Sequence, residues 1–285
     1  MRVLISYDRY FLASGLICLL SMFAAPGYTA PVSEASAKVL TVGVVPQFDI
    51  PRIQAIWRPI LDEMEKRTGI KFVLSGAATI PEFERDLIQG EYDLAYINPY
   101  QVVKVGERQG YQPLVRDVSQ NLYGIVVVPS NSPIQSVEEL KNRVVAFPAP
   151  NALGATLLMQ AELNDRYDVQ VVPRYVLSHS SVYLNVALGE AVAGGGVQKT
   201  LSQQPKELRD RLKVLYKTDS VPSHPVVVHS RVPDQIRQQL LSAMLVLGQD
   251  AAGRELLSKV PIAAVGVATL KDYQPLTEMG LERFQ

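Results

Sequence analysis

The sequence predicts an α/β protein of two lobes, each a mainly parallel sheet flanked by helices, with the lobes joined by two crossing strands. From Lys38 onward, β-branched runs of four to seven residues alternate with stretches of helical periodicity, which is the order of an α/β chain. Two Pro- and Ser-rich breaks interrupt that order, Pro129-Ser130-Asn131-Ser132-Pro133 and Ser220-Val221-Pro222-Ser223-His224-Pro225. No long repeat or low-complexity tract offers another architecture.

Val39 to Val45 is the first expected strand. Ile53, Ile56, Trp57, Ile60, Leu61 and Met64 then recur at helical spacing until Gly69, where a left-handed residue ends a helix at little steric cost. Pro59 lies inside that stretch; lacking an N–H, it either kinks the helix or marks its true first turn. Lys71 to Leu74 reads as a strand, Pro81 to Gln89 as a helix closed by Gly90, and Tyr92 to Ile97 as a third strand, with another helix from Pro99. Leu122 to Val128 is a long apolar strand, and the break behind it places the first lobe crossing there.

Ser136-Val137-Glu138-Glu139 is a capping box, so a helix is expected to open the second lobe. That lobe continues with strand Val144 to Phe147, helix Leu153 to Leu163, strand Val169 to Val176, helix Val182 to Leu188, a short strand near Ala191, a polar helix from Lys199 and strand Lys213 to Tyr216. After the second break come the apolar strand Val226 to His229 and amphipathic helices at Pro233 to Leu247 and Glu255 to Lys259. The expected division is a leader over 1–37, a discontinuous first lobe over 38–127 and 226–285, and a second lobe over 128–225. Two crossings form a hinge, and a hinge that closes buries what lies between the lobes.

The leader reads as a cleavable secretory signal: Arg2 and Arg9 precede the apolar run Phe11 to Ala25, and Ala35-Ser36-Ala37 supplies the small residues of a cleavage site after Ala37. The run is too short for a membrane span, which needs about 20 apolar residues. The single cysteine, Cys18, lies in the leader, so the mature chain has no thiol for a disulfide, a metal or a nucleophile. Three histidines without metal-ligand spacing argue against zinc, and neither a metal nor a cofactor is expected. Lys+Arg 28 against Asp+Glu 28 leaves no net field to attract nucleic acid or an anionic membrane. About 250 residues follow the expected cut, enough for two lobes with full cores.

Several segments, in order and spacing, resemble the periplasmic binding components of phosphate, phosphite and phosphonate ABC transporters. They are Gly90-Glu91-Tyr92-Asp93-Leu94-Ala95-Tyr96 with Pro99-Tyr100, Val144-Val145-Ala146-Phe147 with Pro150 and Gly154, His179 with the helix ending at Gly189, and Asp272-Tyr273-Gln274-Pro275. The resemblance covers nearly all of the mature chain. It implies the type II periplasmic binding fold, a periplasmic location, no catalysis, a monomer with a small-molecule ligand in the cleft, and an ABC permease that receives it.

In that family a Ser-Thr-Ser-Gly turn opening a helix holds the anionic head of the ligand, because the first N–H groups of a helix lack internal partners and carry the positive end of its dipole. Here the turn reads Asn151-Ala152-Leu153-Gly154, followed by Ala155, so three hydroxyls are replaced while the backbone donors remain. The family's Asp after the Gly189 position is Val192. The Gly194-Gly195-Gly196 run either brings backbone close to a ligand or forms a flexible turn.

The resemblance places Gln47 and Phe48 in the loop after the first strand, Tyr96 at a strand end where open α/β sheets present ligand contacts, and His179 with Ser180 at a helix start facing the anion. Tyr100 either joins them or packs beneath the loop, and Tyr96 alternatively is a core aromatic. Of Ser178, Ser180 and Ser181, two are expected to cap the helix. His224 and His229 read as hinge or surface residues. A receptor docking on a membrane sensor kinase, cyclase or chemoreceptor, with a ligand other than phosphonate, is the second reading, and a hydrolase the third. The chain carries no G-x-S-x-G, H-E-x-x-H, P-loop or G-x-G-x-x-G motif to support that third reading.

Overall fold

The computed structural model describes residues 39–260 and 262–284; the expected leader and its cut lie outside them. Strand β1 (Val39–Val44) buries Leu40, Val42 and Val44. A buried strand finds parallel neighbours through crossover helices, and α1 (Ile50–Thr68) and α2 (Ile80–Ile88) connect it to β2 (Lys71–Ser75) and β3 (Leu94–Tyr96), which flank it in parallel. Asp49 caps α1 by accepting the Arg52 N–H at 2.9 Å, and Gly69 ends it at φ 70°. The stripe Ile53, Trp57, Ile60, Leu61 and Met64 is buried as its spacing foretells. Because α1 starts at Ile50, Pro59 lies within the helix and not in its first turn.

After α3 (Pro99–Gln109) the chain forms β4 (Gln112–Asp117), which the sequence pattern concealed because Pro113 and the charged Arg116 and Asp117 break the apolar run. The chain then crosses over residues 118–123 and enters the second sheet as β5 (Gly124–Pro129). This corrects the expected boundary: β5 belongs to the second lobe, and the Pro129 to Pro133 break is a turn inside that lobe. The capping box at Ser136 is made, with the Glu139 carboxylate accepting the Ser136 N–H at 3.1 Å. It opens only a 3-10 turn, Val137–Leu140, because Asn142 at φ 60° redirects the chain into β6 (Val144–Phe147).

A π-helical turn, Leu153–Leu157, leads into α4 (Leu158–Tyr167). Then follow β7 (Val172–Tyr175), α5 (His179–Ala187), β8 (Ala193–Val197), α6 (Gln198–Ser202), α7 (Lys206–Arg209) and β9 (Leu212–Lys217). The chain returns over 218–224 to β10 (Pro225–Val228), α8 (Asp234–Gln249), α9 (Ala251–Ser258) and the short edge strand β11 (Val265–Val267). The final turn, Leu281–Phe284, touches both lobes: Glu282 accepts the Tyr100 hydroxyl at 3.2 Å, and Arg283 pairs with Asp165 of α4. No helix among the described residues is long and apolar enough to cross a membrane.

The first sheet has the order β11-β4-β10-β3-β1-β2 and the second β7-β6-β8-β5-β9. Each sheet is mixed. The β1, β2, β3 ladders and the β6, β7, β8 ladders are parallel, while β10 pairs antiparallel with β3 and β4, and β5 pairs antiparallel with β8 and β9. The antiparallel part of each sheet is where the chain arrives from or departs to the other. Pro113 is accommodated at a register shift opposite Val226 and Val227, where the ladder does not need its missing N–H. The two crossings hold each other, with Leu122 and Val221 exchanging backbone hydrogen bonds of 2.8 Å each.

The Gly194-Gly195-Gly196 run is neither a turn nor a loop but the middle of β8, and its alternation explains it. A Cβ on Gly194 or Gly196 would meet Val182 at 2.5 Å or the Tyr183 hydroxyl at 2.3 Å, both on α5; a Cβ on Gly195, on the other face, would meet the Ala155 carbonyl at 2.2 Å. Gly124 of β5 faces the Gly154 carbonyl in the same way, at 2.0 Å. Glycine lets the turn over 153–157 lie directly on the sheet. Gly195→Ala is expected to destabilise the protein by about 1–3 kcal/mol, the range for overpacking a filled core. A urea midpoint equal to that of the unaltered chain would contradict this packing.

Candidate functional site

The lobes meet over two small adjoining cavities. The larger, about 30 Å³, is lined by Phe48, Ile53, Ile56, Trp57 and Tyr96 from the first lobe, by Val197, Lys199 and Thr200 from the second, and by Leu122 and His224 of the two crossings. The smaller, about 20 Å³, lies against Ala152, Leu153, Gly154, Ala155 and His179, with Ile80 and Asn98 opposite. Val45, Gln47, Val197 and His224 line both. Each volume holds about one or two water-sized molecules, so the lobes are drawn tightly together, and a larger solute enters only as they part.

The turn over 152–155 owes its position to the glycines beneath it. In the helical run that begins at Leu153, the N–H groups of the first residues have no carbonyl one turn earlier to receive them. His179 is aimed inward by the turn before α5. Leu177 takes φ 74°, and the Ser178 N–H donates to the Val176 carbonyl at 3.0 Å, a left-handed γ-turn that costs about 1–3 kcal/mol. Ser178 then caps α5 by accepting the Ser181 N–H at 3.1 Å. The His179 ring is 3% exposed, its Nδ1 has no hydrogen-bond partner, and burial pushes its pKa down to about 4.

On the crossing strand, His224 stacks on Tyr96 at 5.4 Å, and its Nε2 is 3.3 Å from Gln47 Nε2. Burial first, then the charges of Lys199 and His179, lower its pKa to about 3. Both imidazoles are therefore neutral at pH 7. Tyr96 also leans on Trp57, ring centres 5.0 Å apart, and Arg52 covers the Phe48 ring at 3.9 Å. Lys199 pairs with Asp117 at 3.1 Å across the lobes. Burial works to raise the Asp117 carboxyl, but the Ser119 hydroxyl and N–H and the Lys199 ammonium hold it below the ordinary carboxylate range.

The structure brings Gln47, Phe48, Tyr96, Ala152, Leu153, Gly154, Ala155 and His179 to the cavities. Tyr100, Asn151 and Ser180 line neither. Tyr100 turns to Glu282, and Asn151 donates its side-chain amide across the lobes to Glu84 of α2, which also accepts from Gln101. Val192 is exposed in the loop before β8, away from both cavities. The sequence reading missed Lys199 and Thr200, which the glycine-rich β8 delivers to the cleft, and it read His224 only as hinge or surface although it belongs to hinge and cleft wall alike.

Two mixed sheets, two crossing strands and a cleft floored by a helix-opening turn define a binding protein that closes on a small solute. Residues 42–273 match the family model described as ABC transporter, phosphonate, periplasmic substrate-binding protein, and the chain belongs to that family. It is 21% identical over 281 residues to the phosphonates-binding periplasmic protein of Escherichia coli K12, covering 92% of this chain and 82% of that protein. It is also 21% identical over 294 residues to the phosphate-import protein PhnD of Mycolicibacterium smegmatis, covering 94% and 85%. The solved structure of PhnD1 from Prochlorococcus marinus in complex with methylphosphonate superposes with a TM-score of 0.76 at 17% identity, covering 87% of this chain and 98% of that one.

Glu84 gives the closed lobes a pH signature. Burial, outweighing its hydrogen bonds to Asn151 and Gln101 and the Lys104 charge, raises its pKa from 4.5 to about 7. Asn151 Oδ1 and Gln101 Oε1 are buried without partners, and after an amide rotation either can receive a proton from a neutral Glu84. A raised carboxyl contributes stability that is complete below about 4.5 and lost as pH rises through about 7. The lowered His179 and His224 run the other way, losing stability as pH falls from 6.5 through about 4 and 3. The melting temperature of Glu84→Gln minus that of the unaltered chain is expected to rise between pH 4.5 and 7 and to be flat outside that window; parallel curves would refute the assignment.

Proposed function

We propose that this protein, exported to the periplasm by a cleavable signal, captures one phosphonate- or phosphate-like anion between its lobes and, as a monomer without catalysis, delivers it to an ABC permease. One observation carries the reading: the turn over 152–155 opens a helical run inside the cleft and is seated on the second sheet by Gly124 and Gly195. Unpartnered helix N–H groups at the positive end of a dipole are suited to phosphoryl oxygens. Gln47 and the neutral His179 stand beside it, and neutral imidazole carries one N–H to donate. The family match and the ligand in the Prochlorococcus structure support the same chemistry. In this reading Gln47, Phe48, Tyr96, Ala152, Leu153, Gly154, Ala155 and His179 are the contact residues, while Asn151 acts on lobe closure.

The turn lacks the three hydroxyls that reinforce such a site in the family, and Asn151, Ala152 and Leu153 stand in their place. A hydrogen bond to a charged group contributes about 1.5–3 kcal/mol, equivalent to about 10- to 150-fold in affinity. Titration calorimetry with methylphosphonate and inorganic phosphate is expected to show one anion bound per chain, and Ala152→Thr with Leu153→Ser to bind it at least tenfold tighter. Absence of heat with either anion, in both proteins, sinks the proposal.

A further inference from the structure

The larger cavity differs in chemistry from the one at the turn. Its first-lobe wall includes Phe48, Ile53, Ile56 and Trp57, one face of α1 and the loop before it, with Tyr96 tilted against Trp57. Among the described residues, the charged side chains that line it are Lys199 and Lys259, and no carboxylate does. The smaller cavity has the unpartnered Nδ1 of a histidine that is 3% exposed, together with the turn. Val45, Gln47, Val197 and His224 line both spaces, so a solute with its head at the turn can extend past His224 into the space lined by Trp57.

We infer that the ligand is an organic anion with an uncharged apolar or aromatic body, an alkyl- or arylphosphonate rather than an aminoalkylphosphonate, its head at the 152–155 turn and its body against Trp57, Phe48 and Ile56. The inference rests on the anion reading above and narrows it. An ammonium group needs a carboxylate or the π-face of a ring clear of other cations. The wall of this chamber has no carboxylate of its own, its cations are Lys259 and the Asp117-paired Lys199, Arg52 already covers Phe48, and Tyr96 leans on Trp57. An apolar body loses nothing there, and each buried methylene adds about 0.8 kcal/mol, about fourfold in affinity. Polar groups of the wall are already engaged: Thr200 Oγ1 donates to the Val197 carbonyl at 2.9 Å and lies 2.7 Å from the Tyr183 hydroxyl.

Titration calorimetry with phosphate, methyl-, ethyl-, propyl-, phenyl- and 2-aminoethylphosphonate tests it. Affinity is expected to rise from methyl to propyl by about fifteenfold, to stay high for phenyl, and to fall at least tenfold from propyl to 2-aminoethyl. In Ile56→Asp, which adds a carboxylate to a half-buried wall position, the propyl-to-aminoethyl ratio is expected to drop at least tenfold; Ile56→Asn, of the same shape without charge, separates charge from lost packing. If phosphate or methylphosphonate binds but affinity is flat or falling along the alkyl series, or 2-aminoethylphosphonate matches propylphosphonate, the inference is overturned and the anion reading stands. If no phosphorus anion binds, even with the turn hydroxyls restored, the anion reading has failed and takes the inference with it.

Discussion

The contact on which the site depends is steric: the carbonyls of Gly154 and Ala155 lie so close to β5 and β8 that no side chain fits beneath them. Hydrophobic attraction alone would accept a looser seat, since a helix resting on valine or alanine buries comparable apolar area. Glycine at 124, 154 and 195 brings backbone to backbone, and dense packing then fixes the height and tilt of the turn. Gly194 and Gly196 make room for the Val182 and Tyr183 side chains of α5 on the opposite face, so one strand sets both the turn and the helix that carries His179. A ligand contact a fraction of an ångström out of place forfeits much of a hydrogen bond, so the run AGGGV is as much a part of the site as the residues that line it.

The electrostatics of the cleft are spare. Asp117 and Lys199 neutralise each other across the lobes, with Asp117 further held by the Ser119 hydroxyl at 2.6 Å. Both histidines are kept neutral by burial. What remains at the smaller cavity is dipolar: backbone N–H groups, an imidazole and a carboxamide. Preorganised dipoles stabilise a bound oxyanion without first having to lose a counterion, and they leave the surrounding wall free to be apolar. Glu84 lies outside this arrangement. Its partner Asn151 stands just ahead of the turn, so its protonation acts on how the lobes meet.

Much of the fold was legible because the signals were local. Gly69 and the stripe from Ile53 to Met64 specify α1 within a few residues, and the resemblance pointed to the turn over 152–155 and to His179, which line the smaller cavity. The misplaced boundary shows where locality ends: β5 is equally apolar whichever sheet it joins, while residues 118–123 carry no proline or glycine to announce a crossing. β4 and β11 were missed because a proline at a register shift and a three-residue edge strand have no periodicity to detect. Asn151 and Tyr100 were assigned to the ligand by analogy, and only the fold reveals the nearer partners Glu84 and Glu282. Lys199, Thr200 and His224 sit more than a hundred residues from Gln47 in the chain and share a wall with it only once both crossings are made.

One residue of that wall gives the molecule a built-in optical reporter. Trp57 is the only tryptophan of the chain, and it stands in the cleft with Tyr96 against it and His224 stacked behind. Parting of the lobes admits water to the indole and changes its distance from neutral imidazole, so emission wavelength and intensity follow the opening angle with no competing fluorophore of its kind. Stopped-flow fluorescence of the unlabelled protein therefore watches the hinge itself.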